Sequence, residues 1–130
     1  MTSFSLKYDV RESAPTVARF HRSNAGFRAI CGPIGSGKSV ACCVEIYRRC
    51  VQQKVGPDGL RRSRWVVVRN TRNQLKDTTL KTWFDWFPPG SGIGYWKETE
   101  TTYFLEFGDV KAEILFRALD TPADVSRVLS

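Results

Sequence analysis

Gly32-Pro33-Ile34-Gly35-Ser36-Gly37-Lys38-Ser39 meets the pattern G-x-x-x-x-G-K-[ST] at every fixed position. Glycines let consecutive backbone N–H groups turn toward one centre, and a helix that follows aims its positive end at the same point. In such a loop the main chain from Gly32 through Val40 surrounds a nucleotide, with ATP as the expected ligand. Lys38 reaches the β and γ phosphates, and the Ser39 hydroxyl takes one position on Mg2+.

The same pattern also occurs in glycine-rich turns that bind nothing, so its flanks matter: a strand before and a helix after. Phe27-Arg28-Ala29-Ile30-Cys31 is a short apolar run suited to a buried strand. Over residues 38–53, Val40, Cys43, Val44, Tyr47, Cys50 and Val51 recur at helical spacing, with no Gly or Pro. Glu45 lies three and four residues before Arg48 and Arg49, which supports the same helix. Both flanks agree with a phosphate site.

A chain of 130 residues suits one domain with a modest core, and 42% hydrophobic with 25% charged residues fits a soluble globular chain. No run is apolar enough for a membrane span, and the N-terminus carries no secretory pattern. Cys31, Cys42, Cys43 and Cys50 lack metal-ligand or C-x-x-C spacing and read as small apolar residues in a reducing cytoplasm. The lone His21, beside Arg22 in a polar stretch, reads as solvated.

The net charge of +7 is uneven. Residues 48–81 hold ten cations against two acids, whereas residues 82–130 hold four against eight. Arg48, Arg49, Lys54, Arg61, Arg62, Arg64, Arg69, Arg72, Lys76 and Lys81 make up the basic field. Such a field attracts nucleic acid in a salt-dependent way. A solvated rim, or pairing with acids of another subunit, gives the same composition.

Elsewhere, Phe4, Leu6, Tyr8 and Val10 alternate with polar residues as in a half-buried strand, and Ser13 with Pro15 opens a helix to about His21. Gly56-Pro57-Asp58-Gly59 is a turn that continues with Arg61 and Arg62 as an exposed loop. Trp65-Val66-Val67-Val68 reads as a parallel strand covered on both faces, running to Arg69. Asn70 and Thr71 cap a helix to about Phe87, whose Trp83, Phe84, Trp86 and Phe87 fit a core stripe better than a base-stacking platform. After a loop with Gly90, Gly92 and Gly94, residues 101–107 and 110–119 form a hairpin about Gly108-Asp109. That register sets Phe107 against Val110, Leu105 against Ala112, Tyr103 against Ile114 and Glu106 against Lys111. Thr121-Pro122 starts a further helix.

Strand, phosphate loop, helix, strand, helix spells an α/β fold of three layers with a mainly parallel sheet and right-handed crossovers. The two parallel strands are residues 27–31 and 65–69, and the hairpin is either an antiparallel addition or an edge extension.

With these segments placed, the chain resembles the N-terminal part of the ATPase domain of tailed-bacteriophage large terminase subunits, a P-loop NTPase fold. Three stretches carry the likeness. The first runs from Phe20-His21-Arg22-Ser23 through the phosphate loop to Val44-Glu45-Ile46; the second is Val68-Arg69-Asn70-Thr71 with Leu75-Lys76-Asp77-Thr78-Thr79 and Trp83-Phe84; the third is Phe116-Arg117-Ala118-Leu119-Asp120 with Pro122 and residues 125–130. The resemblance implies ATP-driven movement of double-stranded DNA into a procapsid in the host cell cytoplasm, by a homo-oligomeric ring docked on a portal protein and aided by a small terminase subunit. The family's nuclease domain and its Walker B strand, with the acids that order Mg2+ and polarise water, fall after Ser130. Pro33 and Ile34 stand where many terminases carry a basic residue, and the first Gln is Gln52, so a glutamine adenine clamp has no counterpart before the loop. Arg69, Arg72 and Arg117 are the candidates for a transition-state arginine, acting within a subunit or across a boundary. A P-loop small-molecule kinase and a non-catalytic nucleotide-binding remnant are the alternative readings.

Phosphoryl transfer needs positioning and charge neutralisation from several parts at once. Lys38 and Ser39 supply binding and half of the metal scheme. These 130 residues alone are expected to bind Mg-nucleotide weakly and to hydrolyse it negligibly. A phosphate-release assay that reports brisk turnover contradicts this.

Overall fold

A proline at the first position of a helix forfeits no hydrogen bond, and Pro15 opens α1 (Pro15–Arg22) as the sequence predicts. The computed structural model describes residues 8, 15–26, 28 and 38–119. Helix α2 (Lys38–Val51) begins at the lysine of the phosphate-loop pattern. It buries Ala41, Cys43, Val44 and Cys50 on one stripe. A turn through Gly56 and Gly59 leads into β1 (Arg61–Arg69).

Thr71 then stops the extended chain and caps a helical segment, its hydroxyl accepting the Gln74 N–H at 3.1 Å. The segment comprises α3 (Arg72–Gln74), a π-helical stretch (Leu75–Leu80) and α4 (Lys81–Trp86). The wide stretch has a sequence cause. Leu75 and Leu80 are five residues apart, a spacing that an α-helix rotates about 140° out of line. Bonding from i to i+5 brings the two side chains back toward one face, and both are buried.

Four strands form one mixed sheet in the order β1-β4-β3-β2: β2 is Gly94–Lys97, β3 is Thr102–Phe107 and β4 is Val110–Ala118. The hairpin register agrees with the sequence reading at all four predicted pairs. Its tight turn places the positive φ of 54° on Gly108, where glycine carries no Cβ penalty. The open question about the hairpin is also answered. β4 lies parallel to β1, from Arg61 opposite Val110 to Arg69 opposite Ala118, so the hairpin is built into the sheet beside β1.

Several expectations change. Arg61 and Arg62 are not loop residues; they begin β1, because the nine-residue β4 offers partners as far back as Val110 and Lys111. Residues 94–97 are a strand rather than loop, and Gly94 is needed there because a Cβ would collide with the Phe104 carbonyl. Among the described residues β1 is not covered on both faces. Its residues alternate, with Val66 46% and Val68 40% exposed. Among the described residues α2 and the α3–α4 segment pack on one face of the sheet, so a third layer is not seen. The expected strand at 27–31 and helix from Thr121 lie outside the described residues, Arg28 apart, as does the N-terminal alternation apart from Tyr8.

The core gathers around Trp83, fully buried, with ring centroids 4.6 Å from Phe87, 5.5 Å from Tyr103 and 5.6 Å from Phe116. The aromatic stripe of α4 is therefore core. Trp83→Ala is expected to cost about 3–5 kcal/mol of unfolding free energy, and Thr71→Ala about 1 kcal/mol through the lost cap. Urea denaturation followed by circular dichroism measures both, and equal losses in the two variants would refute this ranking.

Candidate functional site

Of the nucleotide-binding residues predicted from sequence, Gly32, Pro33, Ile34, Gly35, Ser36 and Gly37 lie outside the described residues. Lys38, Ser39 and Val40 form the first turn of α2, with Lys38 half-buried, Ser39 exposed and Val40 packed against the core. Two contacts fix the far end of α2. The Ser63 hydroxyl donates to Cys50 Sγ at 3.6 Å, and the Arg61 guanidinium donates to the Gln53 carbonyl, so the last turn of α2 sits beside the start of β1. The helix also packs on β4 and α4, and its fourteen residues at about 1.5 Å each set Lys38 some 20 Å from that last turn.

The three candidate arginines lie at or just beyond the carboxyl end of β1 and β4, on different faces. Arg69 closes β1 on the core-facing side, and its buried Nε has no hydrogen-bond partner among the described residues. Arg72 is the exposed first residue of α3. Arg117, opposite Val68, points to the other face. Its Nη1 donates to the carbonyls of Glu100 at 3.1 Å, Thr101 at 3.2 Å and Phe116 at 2.9 Å. Those bonds hold the left-handed Thr101 (φ 47°) where the chain turns into β3.

Sequence reasoning missed the most connected polar group. Glu45, 5% exposed on α2, receives four side chains. Arg28 Nη1 donates to its Oε2 at 2.8 Å and Arg49 Nε to its Oε1 at 3.0 Å. Arg48 Nη1 reaches Oε1 at 3.2 Å and His21 Nδ1 meets Oε2 at 3.1 Å. His21 is therefore buried, at 6% exposure, and not solvated as its polar neighbours suggest. Because a carboxylate only accepts, His21 Nδ1 donates to it, and Nε2 shares a hydrogen bond of 2.9 Å with the Tyr8 hydroxyl. Burial, with the Glu45 charge, raises the Tyr8 phenol, which keeps that hydroxyl protonated.

The same arginines reach the end of α1. Arg48 donates to the His21 carbonyl at 2.9 Å, and Arg49 to that carbonyl at 3.2 Å and to the Ser23 carbonyl at 2.6 Å. These last carbonyls of a helix have no partner within it, and cations complement their partial charge. Arg28 also binds the Phe20 carbonyl at 2.9 Å and lies 5.0 Å from the Phe20 ring centroid. One carboxylate thus fastens the segment before the G-x-x-x-x-G-K-[ST] stretch to the helix after it. The only part of this legible in sequence is the local spacing of Glu45 to Arg48 and Arg49.

The basic field is partly neutralised within the chain: Arg61 pairs with Asp109 at 2.9 Å, Arg62 with Asp58 at 2.6 Å and Arg64 with Glu113 at 3.3 Å. Burial, then the neighbouring Cys42, pushes the Cys43 thiol up to about 12, and burial raises Cys50, so neither is a ready nucleophile. Among the described residues no three His, Cys, Asp or Glu side chains gather as a metal site, and no helix is long and apolar enough to cross a membrane. No family model, no curated protein and no solved structure matches this chain.

Burial pushes the Glu45 carboxyl up, but hydrogen bonds from Arg28, His21 and Arg49 and the Arg28 charge outweigh it and hold the group below its ordinary 4.5. The unfolded chain therefore takes up this proton first as pH falls. The stability Glu45 contributes is full above about pH 4.5 and is lost as pH drops through the lower folded value. Glu45→Ala strands buried cationic groups and is expected to cost about 3–5 kcal/mol at neutral pH. The gap from the parent chain should narrow as pH falls below about 4.5, as measured by urea midpoints across the acid range. A gap that stays constant with pH would show that the carboxylate charge is not what is lost.

Proposed function

We propose that this chain is the ATP-binding portion of a P-loop NTPase of the terminase kind, a motor that couples ATP hydrolysis to translocation of double-stranded DNA. The observation that carries the reading is positional. The Lys-Ser pair ending the G-x-x-x-x-G-K-[ST] pattern opens a fourteen-residue helix that packs on the sheet and ends beside the start of β1. A helix N-terminus that follows a glycine-rich loop favours phosphate.

In this reading the amides from Gly32 to Ser39 cradle the phosphates and Lys38 neutralises their terminal charge. Ser39 offers one oxygen to Mg2+, whose remaining ligands are phosphate oxygens, water and acids outside this set. Arg69, Arg72 and Arg117 stand at the same end of the sheet as candidates to meet charge that develops on the transferred phosphoryl group. Portal protein, small terminase subunit and a homo-oligomeric ring complete the proposed machine, working in the cytoplasm of an infected cell.

Calorimetry with Mg-ATP on the folded chain tests the binding step. Saturable heat is expected, with Lys38→Ala weakening affinity about tenfold to a hundredfold, the value of one charge-assisted contact. No heat from the parent chain, or an unchanged affinity in a well-folded Lys38→Ala variant, overturns the reading.

A further inference from the structure

The sheet face turned away from α2 and α4 has a composition that no core needs. We propose that this face binds single-stranded nucleic acid. The inference does not rest on the nucleotide reading.

A cavity of about 530 Å³ opens on this face and shares Arg64, Phe104 and Glu113 with a larger one of about 770 Å³, which runs from this face past the end of β4 to Leu75 and Lys76 on the helical side, so the two form one groove. In its middle Tyr95 of β2 lies opposite Phe104 of β3. Their rings stack with centroids 5.0 Å apart at 17°, and Tyr95 remains 48% exposed. An exposed, pre-stacked aromatic pair on a sheet is a surface on which an unpaired base can continue the stack, at about 1–3 kcal/mol per base. A base pair inside a duplex cannot do this without opening.

Cations flank the pair. Arg62, Arg64 and Lys111 border it on one side, and Arg72, Lys76 and Arg117 line the far part of the groove. The groove's acids are all engaged at its surface: Glu113 with Arg64 at 3.3 Å, their side chains 48% and 70% exposed, Glu106 with Lys111 at 3.8 Å, Glu100 with Lys97 at 3.1 Å, and Glu98 as acceptor of the Trp96 indole N–H. Exposed ion pairs of this kind hold at most about 1 kcal/mol, so a phosphate with its counterions to release can take over Arg64 or Lys111. The chain's net charge of +7 favours the same polyanion. A protein partner or a second copy fits less well, because interface centres are depleted of charge and this one is crossed by Arg64, Lys111, Glu106 and Glu113.

Fluorescence anisotropy of the whole chain with labelled oligothymidylate and oligouridylate of about 15 nucleotides, without ATP, tests the proposal. Saturable binding is expected, tighter than to a duplex of equal length. Tyr95→Ala and Phe104→Leu should each weaken it about fivefold to a hundredfold. Arg64→Gln, at a well-exposed position, should flatten the slope of log K against log salt by about 0.7. Circular dichroism checks folding, and Arg64→Gln keeps the test decisive should an aromatic variant unfold. No binding to either oligonucleotide, preference for the duplex, affinities indifferent to all three substitutions, or a concentration-dependent dimer that buries Tyr95 would each overturn it. Comparing the two oligonucleotides distinguishes DNA from RNA.

Discussion

A carboxylate with 7% of its side chain exposed is expensive to keep charged unless cations and donors surround it, and Glu45 is surrounded by one histidine and three arginines. Those partners come from three parts of the chain: α1, Arg28 and α2 itself. Helix α1 has eight residues and would be marginal alone. Its place against α2 is set by this charge cluster and by Val17 and Ala18, both buried. The chain before the G-x-x-x-x-G-K-[ST] stretch and the helix after it are therefore fixed to one another through a group that belongs to no site predicted from sequence. Two turns of α2 separate Glu45 from Lys38, so any displacement of the helix start is shared with α1.

The second constraint is the parallel pairing of β1 with β4. Parallel neighbours need a crossover, and the chain supplies one through α3, the π-helical stretch and α4 before returning by β2 and β3. The crossover helix must bury Leu75, Leu80, Trp83 and Phe87 against the sheet at once. The wide turns between Leu75 and Leu80 are the local adjustment that allows this. Some polar groups remain uncompensated in the same core: among the described residues the buried Trp83 indole N–H and Tyr103 hydroxyl find no hydrogen-bond partner. Burial accordingly raises the Tyr103 phenol to about 12.

What could be read from sequence was local. The Gly108 turn with alternating neighbours fixed the β3–β4 register, Thr71 announced its helix by side-chain chemistry, and Pro15 marked the start of α1. What could not be read depends on partners far along the chain. Arg61 and Arg62 look like loop until Val110 and Lys111 are beside them. His21 looks solvated until Tyr8 and Glu45, 13 and 24 residues away, enclose it. Val66 and Val68 look buried because β-branched runs usually are, yet their face carries no helix among the described residues. Of the candidate site, Lys38 and Ser39 opening a helix was legible, and the convergence of Arg69, Arg72 and Arg117 on one end of the sheet was legible only in part.

The surroundings of those arginines also rank them within the nucleotide-binding reading. Arg117 uses one nitrogen to hold three backbone carbonyls around the strained Thr101, so moving it toward a phosphate would release the start of β3. A residue already committed to backbone geometry is a poor choice for a group that must swing with nucleotide state. Arg69 is in the reverse position. Its Nε is buried without a partner among the described residues, a state that costs about 1–3 kcal/mol and that an incoming anion would relieve. It also stands on the face of the sheet that α2 covers, the side to which Lys38 belongs, whereas Arg117 faces away. Burial, direction and incomplete hydrogen bonding all favour Arg69 over Arg117 as the arginine that answers charge at the phosphate site.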